Sequence, residues 1–464
     1  INEWIHNIMT GIRHAGEYEL VDLKLLASSG EVINLNLNYT LIDIYENMFS
    51  NGLTGTITVA DTNNLIMNAP IIGQEFLAFK IKTPSLDNVP IDFTQHVMAV
   101  YKIDSRVSDM GGEVFILHFC SPEILRNSRV RLSKSYDGNI SDTVNRILKD
   151  KKSVNTKKDL FIESTLGNKK IVSPNKNPYS LIRDLTIDAI SDNGSPNFVF
   201  FENLDGIHFR TLDSLYDRDS VGDYVASDRG GVDFQKGGVS NLEEDFKRVL
   251  DYQITGNNDT KRNIKSGMFG SKTISYNIFQ KNYSVRQYDY FEEFDSFSRV
   301  SGGGESFPIY SKGAVDFANN ISDFKDAKIY LHSTSKDTSG LDTQHYVGTK
   351  TNYTPNDIEK TIAHRDSKHA ELDNGVKINM EINGNTTIKV GSIIDFQIPI
   401  TGTNHTGDDY DVYYSGRFLV TKARHSFDKL ENRYRIYMSI VKDSFNQELP
   451  DGGSEAQQPT GGIL

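Results

Sequence analysis

Ile33-Asn34-Leu35-Asn36-Leu37-Asn38-Tyr39 alternates apolar and polar side chains without a break. A period of two is the mark of a β-strand with one dry face and one wet face. Similar strand-forming texture returns at Gly55-Thr56-Ile57-Thr58-Val59-Ala60, Phe76–Lys82, Val97–Ile103 and Glu113–Cys120. Polar turn residues such as Asp61-Thr62-Asn63-Asn64 separate the runs. This spacing predicts an antiparallel sheet closed into a small barrel. Leu41–Phe49 fits a short helix or a further strand. Ahead of the block, Trp4, Ile5, Ile8 and Ile12 stand at helical spacing and predict an amphipathic helix over 1–15.

After Ser121-Pro122 the period changes. Ile140, Val144, Ile147 and Leu148 form a helical stripe. Asn177-Pro178 opens a second helix, with Pro at its first position and Leu181, Ile182, Leu185 and Ala189 on one side. Strands are expected at Asn197–Glu202 and Gly206–Leu212, and a loop over 216–245, which is rich in Asp and Gly. A second strand-rich block then begins at Arg248–Tyr252, with strands at Ser271–Phe279 and Tyr283–Phe291. Ser301–Gly304 reads as a flexible break, Ala327–His332 as a strand, and Thr354–Asp357 as a helix cap. Strands resume at Gly375–Ile382, Thr386–Val390, Ile393–Ile398, Gly416–Thr421 and Tyr434–Val441. The expected fold is mainly β with α+β modules: two similar antiparallel barrels with mixed domains inserted. The divisions are a helix at 1–15, a first barrel at 16–120 and a mixed module with linker at 121–240. A second barrel follows at 241–295 plus 375–449, interrupted by a polar and helical insertion at 296–374, with a flexible tail at 450–464.

Composition narrows the function. The 464 residues carry 62 acidic and 50 basic side chains, a net charge of −12, and this argues against reading or packaging nucleic acid. The one cysteine, Cys120, leaves no disulfide framework and no Cys-based zinc site within a chain. Apolar runs such as Val114–Leu117 are far shorter than a membrane span. No apolar signal core opens the chain, which argues against export by that route.

The candidate motifs do not assemble a catalytic centre. Gly267-Met268-Phe269-Gly270-Ser271-Lys272-Thr273 has the wrong glycine spacing for a phosphate loop and reads as a turn into a strand. His364 and His369 are five apart, where helical zinc ligands need four, and read as part of a solvated helix face. His425 has no nucleophile elbow to serve and reads as a structural histidine at a strand end. Gly407-Asp408-Asp409-Tyr410-Asp411 lacks calcium-loop spacing and reads as a solvated loop. No carboxylate pair stands out for glycoside cleavage. The aromatic run Tyr283–Phe294 interleaves with acids, not bases, and suits packing better than single-strand binding. No catalytic, cofactor-binding or metal residue is nominated, and no enzymatic activity is expected.

The order of these blocks resembles the central baseplate hub protein of contractile-tailed bacteriophages, a fold shared with the front half of type VI secretion spike proteins. The resemblance spans about residues 16–445. Its first segments are Ile33–Tyr39 with Asn51–Ile57, and Phe119–Glu123 with Val130–Tyr136 and the helix from Ile140. The next are Asn177–Ile182, Phe198–Asn203, Asp205-Gly206 and Phe209. The last are Gly267–Ser271, Val390–Ser392, Ser415–Thr421 and His425. It implies a homotrimer whose two barrels per chain make a pseudo-six-fold ring. That ring adapts a six-fold tail tube to a three-fold central spike and forms part of the DNA channel. Implied partners are tube or tube-initiator proteins, the cell-puncturing spike, baseplate wedge proteins and passing DNA, with no cofactor and no membrane span. The implied location is the virion baseplate, assembled in the host bacterial cytoplasm. The net negative charge suggests an acidic channel that repels DNA. Competing expectations are a receptor-binding or adhesin component and a β-rich glycan depolymerase.

Overall fold

The computed structural model describes residues 15–27, 30–61, 71–84, 89–109, 112–226, 242–255, 259–278, 281–296, 298–302, 306–312, 320–334, 358–400 and 410–449. The helix expected over 1–15, the Asp61–Asn64 turn beyond Asp61, the Thr354–Asp357 cap and the 450–464 tail lie outside them.

The first block contains β1 (Glu19–Leu26), β2 (Val32–Asn34), β3 (Tyr39–Asn47), β4 (Thr54–Asp61), β5 (Phe76–Lys82), β6 (Ile91–Asp92), β7 (Met98–Asp109) and β8 (Gly112–Cys120). Leu41–Phe49 is thus largely strand. Ile33–Tyr39 is not one strand. It stops at Asn34 and turns, with Asn34 Oδ1 accepting the Asn36 N–H at 2.9 Å and Leu35 O accepting the Asn38 N–H at 3.0 Å. Asparagine offers its own backbone a turn, and that local bond wins over the alternation. Leu37 consequently stands 88% exposed.

The mixed module follows: α1 (Pro122–Arg129), β9 (Ser135–Gly138), α2 (Ile140–Lys149), β10 (Leu160–Ile162), β11 (Lys169–Val172), α3 (Pro178–Asp188), β12 (Phe198–Asn203), β13 (Gly206–Thr211) and α4 (Leu212–Tyr216). β12 and β13 form an antiparallel hairpin, and β10 joins β13 in parallel. The stripes of α2 and α3 bury Val144, Ile147, Ile182 and Leu185 in one cluster with Phe198, Phe200 and Phe209.

The second block contains β14 (Ser220–Ala226), α5 (Leu242–Lys247), β15 (Arg248–Ile254), α6 (Thr260–Ser266), β16 (Gly270–Asn277), β17 (Asn282–Asp289), β18 (Phe307–Pro308), β19 (Ile329–Thr334), α7 (Ile358–Asn374), β20 (Val376–Asn383), β21 (Ile393–Gln397), β22 (Gly416–Asp428), β23 (Arg433–Lys442) and β24 (Ser444–Phe445). Three expectations change here. Residues 220–226, expected as loop, are a strand of the second barrel, and that strand runs parallel to β15 and β21, so this barrel is mixed and not purely antiparallel. Thr386–Val390 is a turn: Asn385 Oδ1 accepts from both the Thr387 N–H and its hydroxyl, again an asparagine taking over the local backbone. β16 and β17 belong to neither barrel. They form a separate three-stranded sheet with β19, because the barrel closes without them.

One sheet carries both barrels, in the order β2-β1-β5-β7-β8-β4-β3-β22-β21-β14-β15-β20-β23, with β22 also pairing β23. That last pairing closes β22-β21-β14-β15-β20-β23 into a six-strand barrel. β1-β5-β7-β8-β4-β3 retraces the same course in the first block. There β2 and the Asn36–Asn38 turn fill the gap between β1 and β3, with the Leu35 N–H donating to Leu23 O.

The duplication extends to two bulges, although β7–β8 has a further shift between Asp104 and Val107 that β22–β23 lacks, and β1 is antiparallel to β5 where β14 is parallel to β21. β7–β8 matches Val100 with Phe119, shifts by one, and matches Lys102 with His118; β22–β23 matches Val420 with Ile440, shifts by one, and matches Lys422 with Ser439. β3–β4 has a shift between Tyr39 and Leu41, and β15–β20 has one between Val249 and Asp251. A β-bulge is a specific local feature, and two at matched sites make the blocks structural copies. Their apolar faces join in one continuous core, which includes Ile42, Ile57 and Leu117 beside Ile378, Ile436 and Phe427.

Candidate functional site

The site with the clearest construction is a sheet face. β22 is long enough to serve both barrels. Its first residues pair with β21, Leu419 opposite Ile393; its last pair antiparallel with β3, from Lys422 opposite Asn47 to Asp428 opposite Leu41. The two barrels are thereby welded edge to edge. Residues opposite each other in a ladder point to the same side, so the register defines rows across the weld. One row runs Lys102, His118, Thr56, Asp43, Ser426, Arg435 and Asn383. A second runs Thr54, Tyr45, Arg424, Tyr437, Glu381 and Asp251. A third runs Asn47, Lys422, Ser439, Asn379 and Gln253. A fourth holds Asp104, Ile116, Thr58, Leu41, Asp428 and Arg433. The eight strands β7-β8-β4-β3-β22-β23-β20-β15 therefore share a polar face, while the alternate residues lie in the core.

The cations of this wall are Lys102, Lys422, Arg424, Arg433 and Arg435. The carboxylates of the four rows are Asp43, Asp104, Asp251, Glu381 and Asp428, five against five, and Lys377, next after Asn379 on the same face of β20, adds one cation. Several are paired in place. Arg424 grips Asp43 through two bonds of 3.1 and 2.8 Å, Arg435 meets Glu381 at 3.2 Å, and Lys102 bonds Asp104. Asp43 sets the Arg424 guanidinium above its ordinary range. A shallow groove of ≈ 530 Å³ lies on the wall, bordered by Tyr45, Lys422, Arg424, Tyr437, Glu381 and Asp251.

Three buried polar joints hold the wall to the other modules. Glu46, on the core side of β3, accepts the Leu204 N–H at 2.6 Å and the Val390 N–H at 2.7 Å. It thus joins the first barrel to the β12–β13 turn and to the second barrel. Glu202 accepts from the Leu53 N–H and the Ser121 hydroxyl and pairs with Lys158, with Glu123 on the other side of that lysine. Burial raises the Glu202 carboxyl above its usual range. Burial acts to lower Lys158, but Glu202 and Glu123 outweigh it and hold the ammonium raised. In the third joint, Lys368 and Arg299 meet Asp443 at 2.7 and 3.7 Å, and Arg299 bonds Glu371 at 2.6 Å. Burial acts to raise Asp443, yet the two cations keep it below the usual range.

The histidines and glycines take structural places. Gly267 caps α6 in the left-handed region at φ 78, and β16 starts three residues on. His364 is buried and His369 half-buried, not a solvated face; burial pushes both down to about 3. His425 is fully buried near the end of β22, its Nδ1 2.7 Å from the Tyr434 hydroxyl and its Nε2 3.7 Å from Glu46. Of the acidic loop, 407–409 lie outside the described residues, and Asp411 accepts the Tyr413 and Tyr414 N–H groups. In the aromatic run, Tyr288, Tyr290 and Phe294 are core, while Tyr283 is 72% exposed. Among the described residues no group of His, Cys, Asp and Glu is placed to hold a metal ion. Sequence reading missed the joints, although Glu46 left a trace: it falls in phase with Ile42 and Ile44, on the dry side of its strand.

No family model matches the chain. The "Probable baseplate hub protein gp334" of Vibrio phage KVP40 is 26% identical over 301 residues, a match that covers 62% of this chain and 62% of that protein. This chain is similar to phage baseplate hub proteins. The similarity in fold is wider. A tail protein from Neisseria meningitidis MC58 superposes with a TM-score of 0.52 at 8% identity, over 92% of this chain and 97% of that one. The 43 kDa tail protein of prophage MuSo2 from Shewanella oneidensis gives 0.50 at 8% identity, over 91% and 98%. At that identity the likeness is one of fold alone.

Proposed function

We propose that the chain is a structural hub of a contractile phage tail. Three copies form a ring of six barrels that adapts a six-fold tail tube to a three-fold central spike. The polar wall lines the channel through which DNA passes. The observation that carries this reading is the repeated strand order, with two bulges at matched sites, of two barrels fused edge to edge. A protomer built this way presents two near-equivalent units to a six-fold partner and one whole unit to a three-fold partner. The likeness to a hub protein and to tail proteins supports it.

The wall suits passage of a polyanion in a way the net charge did not suggest. Its cations are nearly matched by carboxylates and several are already ion-paired, so phosphates meet few unpaired cations and no uniform field. The channel is then polar and near neutral, not acidic. The chain acts without catalysis, sits in the virion baseplate after assembly in the host cytoplasm, and contacts tube, spike and wedge proteins. The modules of this reading are a first barrel to Cys120, a mixed module to about 219, and a second barrel that starts at β14 and is interrupted between β15 and β20. Sedimentation of the purified chain, alone and with the phage's spike protein, tests the reading. A trimer that binds spike is expected; a monomer at all micromolar concentrations with spike present would overturn it.

A further inference from the structure

The charge of the chain is unevenly divided. Residues 121–176, in the mixed module, hold 13 basic and six acidic side chains, a net of +7, so the rest of the chain carries −19 against the total of −12. Much of the excess gathers where two helices end. Arg126 of α1 donates to Val154 O and Asn155 O at 3.4 and 3.1 Å, which seats the last turn of α1 against the chain that leaves α2. Lys134, beyond α1, meets Asp150 at the end of α2 at 2.5 Å. Around these two joints stand Arg129, Arg131, Lys149, Lys151, Lys152 and Lys157, all exposed. Among the described residues none of the six is in an ion pair. The nearby carboxylates are engaged: Asp150 by Lys134 and the Lys152 N–H, Glu123 by Lys158 and the Thr156 hydroxyl. Helix dipoles account for two of the six, because Arg129 and Lys149 lie in the last turns of α1 and α2. Arg131, Lys151, Lys152 and Lys157 lie outside both helices and answer neither dipole. Like charges gathered this way repel one another, and an anionic partner would offset that cost.

We propose that this basic patch docks an acidic segment of another protein, one rich in Asp and Glu. Two features favour protein carboxylates over the phosphates of a nucleic acid. The helix ends that meet here are C-terminal and present carbonyls, whereas backbone grips phosphate through the N–H groups of helix N-termini. Leu125 stands 41% exposed one helical turn before Arg129, and an apolar centre inside a charged rim is the anatomy of a protein–protein contact. The patch is no part of the polar wall. It lies on the module that Glu202 and Glu46 tie to the barrels, so a partner seated there leaves the wall free. The inference goes beyond the hub reading and holds for a single copy of the chain.

Fluorescence anisotropy of the full chain tests it with two labelled probes, a short poly-glutamate peptide and a DNA duplex of equal length. The peptide is expected to bind, less tightly as salt rises, and to bind more tightly than the duplex. Lys151→Glu/Lys152→Glu/Lys157→Glu is expected to raise the peptide Kd on the order of tenfold or more. Arg at the same three positions should keep the binding. All three side chains are exposed and outside the helices, so the melting curve should stay in place. A duplex bound more tightly than the peptide gives the patch to nucleic acid and overturns the proposal. A peptide that fails to bind, or binding that survives the charge reversal, overturns it too. A wild type that forms trimers without binding the peptide overturns the patch alone. One that binds the peptide but stays monomeric with spike present overturns the hub reading alone.

Discussion

Removing the Glu46 carboxylate should loosen the joint between three modules at once. Glu46→Ala leaves two backbone donors without an acceptor: the buried Val390 N–H and the half-buried Leu204 N–H. A buried donor stripped of its partner costs about 1–3 kcal/mol, and a partly hydrated one less. The total is about 2–4 kcal/mol, with the removed side chain's own packing added. Glu46→Gln keeps the shape and one acceptor oxygen, so about half that loss is expected. Urea unfolding followed by circular dichroism measures the loss. Hydrogen exchange locates it, because the Leu204 and Val390 amides should exchange faster than those of β4 and β8. A Glu46→Ala protein within about 0.5 kcal/mol of wild type, with both amides still protected, would refute the joint.

Other outcomes follow from the same physics. His208 is stacked between Phe161 and Phe201, and burial, with Arg210 and Lys389, drives it down to about 3. Its folded value lies below the ordinary 6.5, so its contribution is complete above pH 6.5 and drains away as pH falls, by about 1.4 kcal/mol per pH unit. His208→Gln should flatten the stability profile below pH 6.5 by that slope in chemical denaturation, and parallel profiles would contradict it. Asp443→Asn strands Lys368 and Arg299 with Glu371 and should cost about 3–5 kcal/mol at pH 7. Because the Asp443 carboxyl is depressed, its contribution is present above about pH 4 and lost as pH falls, so calorimetry should find the gap between variant and wild type narrowing in acid. Gly55→Ala would place a Cβ 2.1 Å from the Phe119 ring and 2.5 Å from Asp43 O; thermal melting should show a loss of about 1–3 kcal/mol or more.

The apolar periodicity carried most of the barrels. Gly55–Ala60, Phe76–Lys82 and Glu113–Cys120 are strands because alternate residues enter one core. Local hydrogen bonding defeated the same logic at Ile33–Tyr39 and Thr386–Val390, where asparagine side chains close turns. β14 escaped notice because Val221 and Val225 are diluted by Ser, Gly and Asp, and its place depends on partners more than 170 residues away in β21. β16 and β17 were legible as strands but not as a separate sheet, since pairing with β19 is non-local. His364 lies among Arg, Asp and Lys residues that suggested solvent, yet α7 turns it onto the β16–β17–β19 sheet, where the Tyr288 ring meets it edge-on at 6.0 Å. The wall was hardest to see. Each strand shows only its own alternate polar residues, and the rows exist only once register joins eight strands.

Cryo-EM of the purified, assembled chain tests the central claim most directly. Three-fold particles are expected, with six barrels around an open channel and the rows of Lys102, Asp43, Arg424 and Glu381 facing inward. A ring whose channel is lined by other surfaces, or particles without three-fold symmetry, would contradict it.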